Sequence, residues 1–435
     1  MDISIAWVIT ILFGGVIILL GLRMWVGLAL GAIGVVGLTY LVGAPQVIGD
    51  ILWHGISSYT LAAVPLFIFM GEIILGGGFS KSLYTGVSKW TGTIPGGLTH
   101  TNILSSALFA AISGSSVATV ATIGTIAYPE QKQRGYNTRI VTGSLTAGGV
   151  LGPMIPPSIG MILYGATCNV SVGKLFAGTA IPGIIMALMF MTYIYIRFVL
   201  NPSLGPKAEP ISWSYFGRAI GAFKDVWPIL LLIGLIFGGI YGGFMTPTEA
   251  AAVSGFVAMC LAAAFGRLNF NVVKEASIKA LRTSAMIFLI MASAKVLGFT
   301  MSMLMIPRQL CTMVEASGLP PLAIWGFLIL VYLFLGCFMD GISMFFLTIP
   351  VVFPMMMGLG FDPIWFGVIL WKVLEVGLLT PPMGLNLYVC QGVTKEPFAD
   401  IVRGSVAFFI LIIGLVGRVT AFPQLATFLP STMGR

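Results

Sequence analysis

Two short stretches, ISGSSVAT (112–119) and FMDGISM (338–344), put hydroxyls and one carboxylate in the middle of otherwise apolar sequence. Two others, GPMIPP (152–157) and GLLTPP (377–382), set paired prolines where a membrane helix is expected. Proline cannot donate a backbone bond, so each pair frees carbonyls about a turn earlier. Non-helical backbone at membrane depth must be buried in protein or line an aqueous cavity. The proline stretches therefore offer clustered carbonyls, and the polar clusters add the hydroxyls of Ser113, Ser115 and Ser116 and the carboxylate of Asp340 with Ser343. Oxygen donors without thiolate or imidazole suit a hard cation such as Na+. Two cation sites follow, one for each polar cluster with its broken helix. A single proline pair reads equally well as a packing kink; two pairs in register with two polar clusters favour the cation sites.

Helices restarting after each cluster and each proline pair point dipole-positive ends inward, which favours an anion between them. Ser116, Ser158, Ser343, Asn386 and Lys295 are the candidate solute contacts. Lys295 would serve equally to anchor a neighbouring helix, and Asn386 to tie the broken helix to its neighbour. Lys372 and Glu375, three residues apart on one helix, read as a local pair. Glu72 is a further charge at depth without an assigned role.

The elements that must position these groups are membrane helices. Of 435 residues, 58% are hydrophobic and 8% charged, which marks an all-α polytopic membrane protein. Apolar spans are expected near 4–21, 24–43, 59–78, 140–165, 175–199, 226–244, 248–266, 283–305, 364–391 and 400–420. The regions 95–129 and 320–354 are each cut by a polar cluster into halves shorter than the ~20 residues a span needs, so each reads as a re-entrant helical hairpin. The segments QVIGDILWHGISS, KSLYTGVSKW and NVVKEASIKALRTS read as interfacial helices.

The chain repeats itself. Pro95, Pro129, Pro156 and Pro157 recur 225 residues later as Pro320, Pro354, Pro381 and Pro382, and Ser115 falls on Asp340. The hairpins open on opposite sides, so the repeats are inverted in topology, an arrangement frequent in secondary transporters. The domain reading is a scaffold with an interfacial arm over 1–94 and a first transport core over 95–165. A second scaffold part (166–319) holds a linker at 201–225 and an interfacial helix at 269–282. The second core covers 320–391 and a last scaffold helix 392–435.

Charge placement fixes the orientation. Sixteen of the 22 basic residues fall in loops placed inside, against Lys174, Arg308, Arg418 and Arg435 outside. By the positive-inside rule both termini are periplasmic. The net charge of +8 thus reports membrane orientation rather than nucleic-acid binding. No GxxxxGK[ST], HExxH or GxSxG run is present, so an ATPase or hydrolase, or any enzyme, is not expected. Five isolated cysteines suggest neither disulfides nor a metal site.

The motifs SGSSVATVATIG, GGVLGPMIPPSIGMILYG, MDGISMFFLTIPVVFP and LLTPPMGLNLY resemble the large membrane subunit of TRAP (tripartite ATP-independent periplasmic) transporters, DctM type, along essentially the whole chain. The resemblance implies Na+-driven uptake of a small organic acid or related solute by an elevator mechanism in the bacterial inner membrane. It also implies two partners, a small four-helix membrane subunit (DctQ type) and a periplasmic substrate-binding protein (DctP type). With nothing fused ahead of Met1, the small subunit is expected as a separate chain. The family's cation sites carry over to Ser113, Gly152, Ile155 and Pro157, and to Asp340, Gly377, Thr380 and Pro382. The adjoining tip residues Gly114, Ser115 and Gly341 complete the two sets. The rival reading is a cation-selective channel or passive solute pore, in which flux would be fast and uncoupled.

Overall fold

The computed structural model describes residues 5–210, 213–381 and 384–433. Pro382, one of the expected cation ligands, lies outside the described residues. Among those residues the chain is helical throughout, without strands.

The first half runs through Ile5–Gly21, Val26–Gly37, Ile48–Ile56, Ala63–Gly76 and the amphipathic arm Phe79–Thr91. It continues with hairpin 1 (Gly97–Ser113 and Ser116–Gln133), the first broken helix (Thr138–Val150 and Ile159–Cys168) and Val172–Leu200. The second half runs through Trp213–Tyr241, Pro247–Ala264, Phe270–Met303 and Ile306–Ala316. Hairpin 2 (Pro321–Gly336 and Gly341–Gly358), the second broken helix (Pro363–Gly377 and Leu385–Thr394) and Phe398–Ala421 follow. The 225-residue offset matches these elements one by one: Ser115 and Asp340 both cap the returning hairpin helix, and Asn137 and Asp362 both cap the first half of a broken helix. Five spans separate the hairpins, from the first broken helix to Phe270–Met303. That number is odd, so the hairpins enter from opposite faces and the repeats are inverted.

The frame is built crosswise between the halves. Val26–Gly37 packs on Phe270–Met303, and its counterpart Pro247–Ala264 packs on Ala63–Gly76. Close backbone approach makes this possible: a Cβ on Gly34 would lie 2.7 Å from the Leu297 nitrogen. The last helix of each half packs on the broken helix of the other, Val172–Leu200 on Pro363–Gly377 and Phe398–Ala421 on Thr138–Val150.

Three sequence expectations change. The interfacial helix over 269–282 is not a separate element but the start of the 34-residue helix Phe270–Met303. No glycine or proline interrupts 270–297, so nothing breaks it. At 1.5 Å per residue it is roughly 51 Å long, so its lysine-bearing turns extend beyond the ~30 Å apolar layer. Within it Lys279 pairs with Glu72 at 3.3 Å, which gives Glu72 a role in joining two frame helices. The true counterpart of the arm Phe79–Thr91 is Ile306–Ala316, an amphipathic helix the sequence reading missed. Both follow a left-handed residue, Gly78 (φ +68°) and Met305 (φ +60°). The linker at 201–225 is shorter than expected, because the chain is helical from Trp213 onward. Between Pro210 and Pro228 there is no proline to stop it.

The arm Phe79–Thr91 bridges frame and hairpin. Lys89 meets Asp225 at 2.6 Å and Trp90 donates to the Ala219 carbonyl on Trp213–Tyr241. On its other face the Gln131 amide of hairpin 1 donates to Tyr84 Oη at 2.9 Å, and Thr91 and Thr101 share a 2.6 Å bond.

Candidate cation and solute site

Each hairpin tip is built as a helix N-terminus. At tip 1, Gly114 takes φ +60° to turn the chain, and Ser115 Oγ accepts from the Ala118 N–H at 3.3 Å. Thr119 donates to the Ser115 carbonyl (2.8 Å) and lies 3.2 Å from Ser113 Oγ. At tip 2, Asp340 Oδ2 accepts from the N–H groups of Ile342 and Ser343 at 3.1 Å each, and the Ser343 hydroxyl donates to Oδ1 at 2.5 Å. A carboxylate has about four acceptor positions, so Asp340 caps its helix and still has capacity for a cation.

Each tip meets the broken helix of its own repeat. A Cβ on Gly152 would fall 3.3 Å from the Ser115 carbonyl carbon and the Ser116 nitrogen, and one on Gly114 would fall 3.3 Å from the Ile159 nitrogen. In the second repeat the approach is tighter: a Cβ on Gly336 would be 2.4 Å from the Gly377 Cα. Cys337 also donates its thiol to the Pro381 carbonyl at 3.2 Å. In the first break a single tight turn at Gly152–Met154 leads into extended backbone at Ile155 (φ −104°, ψ 111°), and Pro156–Pro157 is a cis peptide. In the second break, Val376 accepts from the Thr380 hydroxyl (2.9 Å) and Gly377 from the Thr380 N–H (3.0 Å). Leu378 accepts from the Asn386 N–H (3.2 Å), and a carbonyl with one bond keeps a second lone pair.

The donor set fits a hard cation. Among the described residues no cluster of three His, Cys, Asp or Glu exists. What the two tips and breaks present is hydroxyl and carbonyl oxygen and the Asp340 carboxylate, with the Cys337 thiol turned onto the Pro381 carbonyl. Of the expected ligands, Ser115 meets Gly152 directly and Gly114 meets Ile159, while Ile155 and Pro157 follow along the first break. Asp340 and Gly341 line the cleft at tip 2, Gly377 meets Gly336, and Thr380 bonds within the second break.

Both tips line one small cleft of about 130 Å³. Ser116 and Val117, Ile159 and Gly160, Gly341 and Ile342, and Leu385 all line it, so four helix N-termini converge there. Thr283 and Ile287 of the frame close one wall. Such a convergence is suited to an anion.

The sequence reading missed one charged member of this cleft. Glu375 is buried (3% exposed) and lines it. It does not form an ion pair with Lys372; instead the Ser116 hydroxyl of tip 1 donates to it. Lys372 points elsewhere, between Met154, Pro182 and Val416, and its ammonium has no hydrogen-bond partner. Of the expected solute contacts, Ser116 lines the cleft, Ser343 is committed to Asp340, and Ser158 caps Ile159–Cys168 by accepting from the Met161 N–H. Asn386 is fully buried beside Gly149 with neither amide atom bonded. Lys295 is not at the tips at all; it lines a separate cavity between frame and core.

The family pattern described as "Tripartite ATP-independent periplasmic transporter, DctM component" matches residues 13–425. The chain belongs to the DctM family. A C4-dicarboxylate TRAP transporter large permease protein of Pseudomonas aeruginosa is 34% identical over 91% of this chain and 93% of its own length. The isethionate TRAP transporter permease protein DctMQ of Oleidesulfovibrio alaskensis is 30% identical, covering 95% of this chain and 65% of that longer protein. The crystal structure of the Alcanivorax borkumensis YdaH transporter superposes with a TM-score of 0.59 at 17% identity, over 89% of this chain and 90% of that one. That likeness extends to the fold. This DctM chain is therefore a multi-pass large permease of the TRAP class, built from two inverted repeats with re-entrant hairpins.

Proposed function

We propose that this permease imports a small organic acid together with Na+, handed to it by a periplasmic binding protein. The observation that carries the reading is the cleft where four helix N-termini and two oxygen-lined tips meet. An acid group seated there is stabilised by the helix dipoles, each worth about 0.3–2 kcal/mol. Bound Na+ supplies further positive charge next to the same acid group. The tip hydroxyls and carbonyls around Ser113–Ser115 and Gly152–Pro157 would hold one ion, and Asp340 with the Gly377–Pro382 carbonyls the other. Glu375 adds a buried carboxyl whose ionised form a nearby cation would stabilise.

The relatives support a solute of this class, since one is named for C4-dicarboxylates and another for isethionate. The name DctMQ joins the large and small subunits in a longer protein, which supports a small membrane subunit as partner here. The hairpins and broken helices move as one body against the frame in an elevator cycle, with both termini on the periplasmic side of the bacterial inner membrane.

The test is uptake into proteoliposomes holding the complete transporter. Uptake is expected to need an inward Na+ gradient and to ignore ATP. Undiminished uptake with K+ in place of Na+ on both sides would falsify the coupling.

A further inference from the structure

A cavity walled by both frame and core lies away from the tip cleft, and no step of the proposed cycle uses it. It encloses about 660 Å³, within the usual range for small-molecule sites. One side is frame: the helix Ile48–Ile56 and the segment from Ala294 to Ser302. The other is core: Thr167 and Cys168 at the end of the first broken helix, and Phe346 to Pro354 on hairpin 2.

Its chemistry is uneven. The walls are apolar, with Phe299, Phe346, Ile349 and Phe353 as the main surfaces. Two polar groups inside lack partners. Lys295 forms no hydrogen bond or ion pair among the described residues, and the Thr167 hydroxyl is buried without a bond. The Lys295 stem packs close to Gly55, since a Cβ there would lie 3.4 Å from its Cγ. At the mouth stand Asp50 and His54, both exposed. A lone cation and an orphan hydroxyl against aromatic and aliphatic walls complement one acid group on an apolar tail. Asp50 disfavours a second negative charge at the mouth.

We propose that this cavity is a binding site for a single-headed amphipathic acid, its head on Lys295 and Thr167 and its tail against Phe299, Phe346 and Phe353. The walls belong to both frame and core, so an occupant resists their relative displacement and slows transport. That consequence rests on the elevator reading; the binding itself does not. The same chemistry is offered by an acidic lipid from the bilayer or by a free aliphatic acid from solution.

The experiment uses the purified transporter complex in phosphatidylcholine nanodiscs, with empty nanodiscs as the blank. Titration calorimetry compares four probes of equal chain length: octanoate, octan-1-ol, octylamine and suberate. Octanoate is expected to bind at least about tenfold more tightly than the other three, one charge-assisted contact being worth about 1.4 kcal/mol or more. Lys295→Gln is expected to remove that preference, and Ile349→Trp, which fills the cavity, to abolish binding. Mass spectrometry of the unliganded complex separates the sources. A retained acidic lipid that octanoate displaces assigns the site to the bilayer; a site that arrives empty and takes octanoate assigns it to solution. Equal affinity for all four probes, or octanoate binding untouched by both substitutions, overturns the proposal. Octanoate that binds as expected but leaves uptake unchanged keeps the site and removes the two-body consequence.

Discussion

Ser116 on the first hairpin donates its hydroxyl to Glu375 on the second broken helix, a bond between opposite repeats. It sits at the wall of the cleft that both hairpin tips line. Breaking it leaves a buried carboxylate short of a partner, which costs about 1–3 kcal/mol. Thermal unfolding of Ser116→Ala, Glu375→Leu and the double variant is expected to give a coupling energy of that size. Additive effects would place the two residues in separate roles.

Asp340 caps the returning helix of hairpin 2 and faces the cleft. Asp340→Asn keeps one acceptor oxygen for the cap and removes the charge. The Na+ concentration for half-maximal uptake is expected to rise by about tenfold to a hundredfold, since a charged ligand contact is worth about 1.5–3 kcal/mol. Unfolding temperature checks that the cap survives. An unchanged Na+ dependence in a stable variant would leave Asp340 as a cap alone.

Gly336 and Gly377 touch backbone to backbone, and a Cβ on the first would lie 2.4 Å from the second's Cα. Neither strand of chain is a flexible side chain, so Gly336→Ala must push hairpin 2 off the second broken helix. The expected result is a loss of 1–3 kcal/mol or more in stability, with strongly reduced uptake. Gly414→Ala is the control: nothing stands within 4 Å of its Cβ, so it is expected to be neutral or stabilising by up to about 1 kcal/mol.

Glu396 follows the second broken helix and accepts from Lys132 at 2.7 Å and from Tyr128, both at the base of hairpin 1. The Lys132 bond, then the Tyr128 bond, hold its carboxyl below the usual range. A lowered folded value stabilises the protein at pH above the ordinary carboxylate range, and that contribution is lost as pH falls through the folded value. Wild type is therefore expected to lose more unfolding temperature than Glu396→Gln between pH 7 and pH 4. Equal losses would show that the clamp carries no stability.

Thr283 of the frame and Ile342 of tip 2 line the same cleft. Shifted by the repeat offset of 225, the pair becomes Ser58 and Val117. In a background without native cysteines, Thr283→Cys with Ile342→Cys is expected to cross-link in the state described here. Ser58→Cys with Val117→Cys is expected to do so in the opposite state, each arresting uptake. Constant cross-linking of both pairs during turnover would rule out the elevator cycle.

The prolines made the repeat legible because four of them recur at one offset: Pro156 and Pro381 stand in breaks, whereas Pro129 and Pro354 stand inside the returning hairpin helices. Glycine and serine at 113–116 and the Asp340 cluster marked the tips because they turn the chain and cap the helix that follows. Glu375 escaped because Lys372, three residues away, offers a partner on the same helix, whereas the real one lies 259 positions distant. Ile306–Ala316 escaped because it falls in the gap between the expected span 283–305 and the hairpin region from 320, too short and too polar to read as a span. The segment 269–282 misled in the opposite sense: lysines on an amphipathic face resemble an interfacial helix, and only the lack of any breaker before Gly298 distinguishes it.

The frame's long helix is continuous in one half, Phe270–Met303, but divided in the other, where Ile48–Ile56 ends at Ser57 and the chain resumes at Tyr59. Two identical halves related by inversion would make the outward and inward poses equal in energy. Here one half has a continuous rod and the other a jointed one, so under the proposed elevator cycle the two poses are expected to differ in the strain the frame absorbs. A single graft at 57–58 that straightens the joint is then expected to shift which face the empty carrier shows.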